Sequence, residues 1–186
     1  MLHRIAAVAL LLAGSLAFRP LVDPPTVVLL VRHAEKAAQP ASDPPLSPEG
    51  EARALALREV ANDAGVNAII TTQYLRTRAT AEPVARAAGI TAEVIPAQGS
   101  AHAQGVADAI RQRFAGRTVL VVGHSNTISA IAGALGVPRP PDLCDSEYDR
   151  LMTVILAEAS PPRLIRSRFG APSPAAATGC PTMQAR

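Results

Sequence analysis

Two runs of the chain are apolar at every position, Val27 to Val31 and Val119 to Val122, and each gives way at once to small or polar residues. Continuous apolar runs of this length predict strands buried on both faces, as in a parallel sheet covered by helices. The segments between and after them alternate. Leu46-Ser47-Pro48-Glu49-Gly50 carries helix-start signals, with Ser47 as N-cap, Pro48 at the first helical position and Glu49 in the first turn, and the helix is expected to run to Ala64 and stop at Gly65. Asn67 to Thr71 reads as a second strand and Leu75 to Ala88 as a helix closed by Gly89. Thr91 to Ile95 reads as a third strand, Ala103 to Ala115 as a helix closed by Gly116, Thr118 to Val122 as the next strand, and a further helix closes at Gly136. A glycine just past each helix is what a left-handed C-terminal cap asks for, so the pattern predicts an α/β fold with a doubly wound, mostly parallel sheet flanked by helices. Leu151 to Leu156 and Leu164 to Arg168 read as two last strands. Their connection through Ser160-Pro161-Pro162 is too short for a parallel crossover, so an antiparallel pair is expected near the C-terminus.

Composition narrows the class of protein. With 186 residues, 48% of them hydrophobic and 18% charged, the chain suits one well-buried domain and not a disordered protein. Residues 1–17 read as a signal peptide: His3 and Arg4 give a basic start, Ile5 to Ala13 an apolar stretch, and Ser15-Leu16-Ala17 a small-residue cleavage site. Export to the periplasm or outside is the expectation, with no membrane attachment after cleavage and an uncleaved anchor as the alternative; the apolar stretch falls short of the roughly 20 residues that span a bilayer. Residues 18–26 form a proline-bearing linker, 27–170 the domain, and 171–186 a low-complexity tail. Cys144 and Cys180 are an even pair in an exported chain, for which a disulfide tying the tail to the domain is expected. The net charge of +3 is carried by scattered basic residues with aromatics at only 3%, so no nucleic-acid partner is expected.

Chemistry converges on the strand ends. The first apolar run delivers Arg32 and His33 to its C-terminal end, the second delivers His124 within Gly123-His124-Ser125-Asn126-Thr127, and Arg76 stands in the first turn of the helix after strand two. All lie on the rim where open α/β sheets bind ligands. Ser125 reads as a helix-start cap whose backbone amide faces an anion. His33-Ala34-Glu35 matches part of a zinc-deaminase signature, but the accompanying Pro-Cys-x-x-Cys is absent. A serine-hydrolase elbow centred on Ser125 is the alternative enzyme; Thr127 stands where its last glycine belongs, and no histidine follows Ser125.

Together these segments resemble the histidine phosphatase superfamily, the phosphoglycerate mutase-like family. Val31-Arg32-His33-Ala34-Glu35-Lys36 is similar to its Arg-His-Gly or Arg-His-Ala signature, Leu46-Ser47-Pro48-Glu49-Gly50 to its Leu-Thr-x-x-Gly helix start, Leu75-Arg76-Thr77-Arg78-Ala79-Thr80-Ala81-Glu82 to its Leu-Arg-Ala-x-Gln-Thr-Ala-Glu segment, and Val122-Gly123-His124-Ser125 to its second-histidine motif. The resemblance runs from about residue 27 to 169 in family order. It departs at Ala79, where glutamine is usual, and after strand three, where the acidic motif is missing. What it implies is a phosphatase in which His33 attacks phosphorus and becomes a phosphohistidine, while Arg32, Arg76 and His124 surround the phosphoryl oxygens. It implies a small phosphorylated substrate and neither cofactor nor metal. The alternative outside catalysis is a phosphate-binding module without turnover. An acid for the leaving group must come from outside Ala97 to Gly105, which holds no Asp or Glu; the candidates are Glu35, His102, Asp145, Glu147 and Asp149, with Glu147 favoured. Otherwise Glu35 and Lys36 are expected as structural or solvated charges, and His102 as a surface residue near the pocket mouth.

Overall fold

Alternate residues of the central strands face two separate apolar layers in the computed structural model, which describes residues 23–174. Strand β1 (Thr26–Arg32) is flanked by β4 (Thr118–Gly123) on one side and β5 (Arg150–Ala157) on the other, in a six-stranded sheet of order β3-β2-β4-β1-β5-β6. The remaining strands are β2 (Ala68–Thr71), β3 (Glu93–Val94) and β6 (Ser160–Arg168), and the helices are α1 (Pro48–Asp63), α2 (Leu75–Ala88), α3 (His102–Arg113) and α4 (Thr127–Ala134). Strands β1 to β4 are parallel, and β5 and β6 run antiparallel. Val28 and Leu30 point to a layer closed by Val106 and Ile110 of α3 and Ile128 and Ile131 of α4. Leu29 and Val31 point to the opposite layer, closed by Leu57 of α1 and Val84 of α2. Both faces are buried, which is why these strands are apolar without alternation.

The helix boundaries follow from local chemistry. Ser47 caps α1, its hydroxyl accepting from the Gly50 N–H, and Gly65, Gly89, Gly116 and Gly136 all have positive φ just beyond the four helices. Two boundaries differ from expectation. Strand β3 is only two residues long, because it is an edge strand whose last ladder bond, Ile95 N–H to the Thr71 carbonyl, is followed by Pro96. At the other edge, Pro161 and Pro162 belong to β6 and the turn is Glu158-Ala159; an edge strand tolerates prolines because one side of its backbone has no partner.

The expected signal peptide, the first part of the linker, Cys180 and residues 175–186 lie outside the described residues. Ala171 and Ser173 are held: the Ala171 carbonyl accepts from Arg53, and the Ser173 hydroxyl accepts from the Tyr148 and Asp149 N–H groups. Among the described residues no helix is long and apolar enough to cross a membrane.

Gly50 marks the closest approach between α1 and the segment that follows β1. A Cβ there would lie 2.1 Å from the Glu35 carbonyl oxygen, with no soft side chain to give way. Gly50→Ala is therefore expected to destabilise the fold by about 1–3 kcal/mol through overpacking, read as a lowered melting temperature, and to lower activity by displacing the backbone two residues from His33.

Candidate active site

The register between β1 and β4 sets Arg32 opposite Gly123, and the His33 N–H donates to the Gly123 carbonyl at 2.9 Å. The histidines that end these strands, His33 and His124, thereby meet edge to face with ring centroids 5.4 Å apart. Gly123 is required here because a Cβ would lie 2.7 Å from Thr127 Oγ1, the hydroxyl that accepts from the His124 N–H.

His33 is buried, and its Nδ1 lies 2.8 Å from the Ala34 carbonyl. A carbonyl only accepts, so Nδ1 carries the proton and Nε2 presents its lone pair. Burial is the main cause of a His33 pKa lowered to about 2; the bond to Ala34 opposes the shift, and the positive field of Arg32, His124 and Arg76 adds to it. The His33 ring is thus held neutral, with the Nε2 lone pair free. The Ala34 N–H donates to Thr80 Oγ1, which donates to the Arg76 carbonyl, so the backbone beside His33 is fastened to α2.

Both arginines are held with donors to spare. Arg32 is 3% exposed, and its Nη1 donates to the carbonyls of Cys144, Asp145 and Glu147 at 2.9, 3.0 and 3.2 Å. Its guanidinium lies 4.1 Å from the Tyr148 ring centroid. Arg76 lies 4.3 Å from the Tyr74 ring centroid, with Nη1 3.5 Å from Asp43. The Nε groups of both arginines and Nδ1 of His124 are buried with no hydrogen-bond partner among the described residues. Unsatisfied buried polar groups clustered in this way mark a place for a ligand.

A chain of hydroxyls sets the His124 tautomer. Thr77 Oγ1 donates to a carbonyl, that of Tyr74 at 2.8 Å or of Thr72 at 3.2 Å, so toward Thr72 Oγ1, 2.9 Å away, it only accepts. Thr72 thus spends its proton on Thr77 and accepts from Nε2–H of His124 at 3.2 Å. The neutral ring leaves Nδ1 bare. Its pKa is lowered to about 4, mainly by burial and further by Arg76, His102 and Arg32.

Arg32, His33, Arg76 and His124 are therefore brought together, and three other candidates are not placed as expected. Glu147 touches the site through its backbone alone: its carboxylate binds Arg150 at 2.8 and 2.9 Å and the Cys144 N–H at 3.1 Å, so its two oxygens brace the loop whose carbonyls accept from Arg32. Those bonds lower its pKa against the opposing effect of burial, the wrong direction for a proton donor. Ser125 is not the cap of α4, since Asn126 holds that position, and the Ser125 hydroxyl is buried with no partner among the described residues and hence no activating base. Glu35 is taken up by Arg53 and Asp149 by Arg168 and Ser173. Asp145 is half exposed, 4.0 Å from Arg32. His102 is buried, contrary to the surface position expected. Among the described residues no group of three or more His, Cys, Asp or Glu could hold a metal ion.

Asp43, Thr72, Tyr74 and Tyr148 escaped the sequence reading. Asp43 reaches across from the proline-rich loop to accept from the Leu75 N–H with both oxygens at 3.0 Å, capping a helix whose own N-cap, Tyr74, supplies no side-chain bond. The tyrosines had a signal, because the chain has only two and each lies under one of the site arginines.

An uncharged histidine with a free Nε2, set among arginine donors at the C-terminal edge of a mostly parallel sheet, is an arrangement suited to binding a phosphoryl group. The model of the histidine phosphatase superfamily, branch 1, matches residues 28–99, a span that includes Arg32, His33 and Arg76. Among solved structures it is similar to the protein histidine phosphatase SixA in complex with tungstate, at 21% identity and a TM-score of 0.62 over 76% of this chain and 96% of that one. A mycobacterial glucosyl-3-phosphoglycerate phosphatase gives 15% identity and a TM-score of 0.60 over 75% and 97%. A protein bearing the SixA phosphohistidine phosphatase name, from Agrobacterium tumefaciens, gives 26% identity and a TM-score of 0.55 over 79% and 98%. No curated protein matches the chain in sequence.

Thr72→Val removes the acceptor for His124 Nε2–H and strands a buried donor at a cost of about 1–3 kcal/mol. Phosphatase turnover is expected to fall on the order of tenfold, with Thr72→Ser restoring most of it; equal losses in the two variants would show that the hydroxyl does not act on His124.

Proposed function

We propose that the chain is a phosphatase that passes the phosphoryl group of a small phosphorylated substrate to Nε2 of His33 and then to water. The observation that carries this reading is the bond from His33 Nδ1–H to the Ala34 carbonyl, which leaves Nε2 free and uncharged inside a ring of positive groups. Nε2 forms a bond to phosphorus as the bond to the leaving atom breaks, with the three equatorial oxygens facing Arg32, Arg76 and His124. The free Nε donors of the two arginines fit that task, because phosphoryl transfer depends chiefly on positioning and on charge around those oxygens. A phosphoryl group that arrives as the monoanion brings the proton this contact needs: its P–OH shares that proton with the bare Nδ1 of His124. Water cleaves the phosphohistidine and frees His33.

The leaving group sets the substrate class. With Glu35, Asp43, Glu147 and Asp149 engaged by arginines or backbone N–H groups, the substrates that suit the pocket are those whose leaving groups need no proton: acyl, aryl or nitrogen-linked phosphates. The likeness to proteins named as histidine phosphatases supports the nitrogen-linked class. The signal-like residues 1–17 support action outside the cytoplasm.

His33→Ala is expected to abolish phosphate release and acid-labile labelling together; retained turnover above a few per cent would sink the covalent route, and a wild type that binds phosphate without releasing it from any ester would leave the binding-module reading. Arg32→Ala and Arg76→Ala are each expected to cost on the order of 10²-fold in kcat, as loss of a transition-state donor does elsewhere.

An ordinary imidazole is half protonated near pH 6.5, whereas both site histidines are lowered, to about 2 and about 4. The active form of His33 is the deprotonated one, so a lowered pKa moves the acidic loss of rate to lower pH. The profile of kcat/KM, corrected for substrate ionisation, is expected to stay level between about pH 5 and 8, and a limb near 6.5 would contradict the buried neutral nucleophile. Across a phosphate-ester series, kcat/KM is expected to fall steeply as the leaving group becomes more basic. A flat series would instead assign a general acid, with Asp145 the carboxylate nearest Arg32 left to supply it.

A further inference from the structure

Every acceptor that Arg32 Nη1 uses comes from one irregular segment. The carbonyls of Cys144, Asp145 and Glu147 that accept from it lie between α4 and β5 in neither helix nor strand, and Tyr148, whose ring lies against the same guanidinium, follows directly. Arg32 is buried, and its one carboxylate partner among the described residues, Asp145, is half exposed at 4.0 Å. The aim of the guanidinium is therefore only as fixed as this segment, and small errors of aim are costly in a site that works by positioning. Two ties hold the segment. Where it meets β5, the Ser173 hydroxyl accepts from the Tyr148 and Asp149 N–H groups. At its start, Cys144 is buried, its carbonyl makes the shortest of the three bonds to Arg32, and its sulfur is in a disulfide. The chain has two cysteines, and the other is Cys180, a short way beyond Ser173.

We propose that a disulfide between Cys144 and Cys180 completes the site: it makes Cys144 a positioning residue for Arg32, so that the chain holds a phosphoryl group well when oxidised and poorly when reduced. The proposal rests on the phosphatase reading above and adds to it a redox control. The C-terminal tail then returns to the segment at both of its ends, through Ser173 and through Cys180, and closes it into a ring that removes much of its conformational freedom. A dithiol reductant opens that ring by exchange. One of its thiolates attacks a sulfur of the disulfide, the S–S bond breaks, and the second thiol of the reductant resolves the mixed disulfide. Two electrons and two protons pass to Cys144 and Cys180, and the reductant ends as its own disulfide. A reducing compartment therefore leaves the cradle of Arg32 loose, and an oxidising one completes it, which ties activity to the location that the signal-like residues 1–17 support.

The test measures kcat for a nitrophenyl phosphate and Kd for inorganic phosphate, at a temperature where every form is folded, on the full chain oxidised, the same chain reduced by a dithiol, and Cys180→Ser. Reduction and Cys180→Ser are each expected to lower kcat by about tenfold or more and to weaken phosphate binding, with reoxidation restoring the wild type alone. In an Arg32→Ala background, reduction is expected to change phosphate affinity by less than about twofold, an outcome that a disulfide serving only overall stability would not give. Unchanged kcat and unchanged phosphate affinity in the folded, reduced chain overturn the proposal. So does an equal loss of affinity with and without Arg32, or two free thiols found by mass spectrometry in the non-reduced protein. If the oxidised wild type releases phosphate from no ester, the phosphatase reading fails, and the affinities for inorganic phosphate in the two redox states still decide the role of the disulfide. Should Cys180→Ser not fold, Cys144→Ala combined with Cys180→Ala, which leaves no buried thiol, takes its place under the same outcomes.

Discussion

The site depends on one register. Parallel pairing of β1 with β4 sets Arg32 beside Gly123, so the first residues past two neighbouring strands are both histidines and both face the same rim. Side chains alternate along a strand, so a slip of one residue would send Arg32 toward the α1 and α2 layer and carry Leu29 and Val31 into the wrong core. The apolar packing that stabilises the fold and the pairing that positions the nucleophile are therefore the same constraint. The only freedom left at the junction is how tightly the turn after β4 can close, and the lack of a side chain at Gly123 decides that.

The second constraint is electrostatic. Two arginines at 3% and 13% side-chain or residue exposure would be costly to bury alone, and pairing each with a close carboxylate would cancel the field a phosphoryl group needs. Arg32 avoids this by donating to backbone carbonyls of the 144–147 loop and by lying on Tyr148, which offers partial charge and a ring face in place of a full negative charge. Arg76 uses Tyr74 in the same way and meets Asp43 only at 3.5 Å. The result is a positive pocket whose field adds to burial in keeping His33 neutral, with its proton on Nδ1 and a lone pair on Nε2.

Much of this was legible in the sequence because it is local. The apolar runs and the glycines after each helix gave the order of elements, and the residues at the strand ends, Arg32, His33 and His124, stood out by position. Arg76 was legible for the same reason, as the first turn of a helix that follows a strand. What escaped is what long-range packing decides. Asp43 lies in an irregular loop 32 residues before the N–H it caps, and Thr72 matters only because β2 ends beside β4. Glu147 was misplaced because nearness in sequence to the last strands says nothing about which partner a carboxylate takes, and it pairs with Arg150, three residues on.

The fate of the carboxylates links stability to chemistry. Glu35 binds Arg53, which also donates to the Phe169 and Ala171 carbonyls and so joins the segment after β1 to α1 and to the end of β6. Asp43 caps α2, Glu147 shapes the loop under Arg32, and Asp149 gathers Arg168 and Ser173. Each supports a group that holds the pocket in shape, and its oxygens are taken up by backbone N–H groups or arginine. A site whose nearby acids serve the scaffold gains rigidity around its arginines, so the ion pairs that order the surrounding segments also decide which polar groups are left free in the pocket.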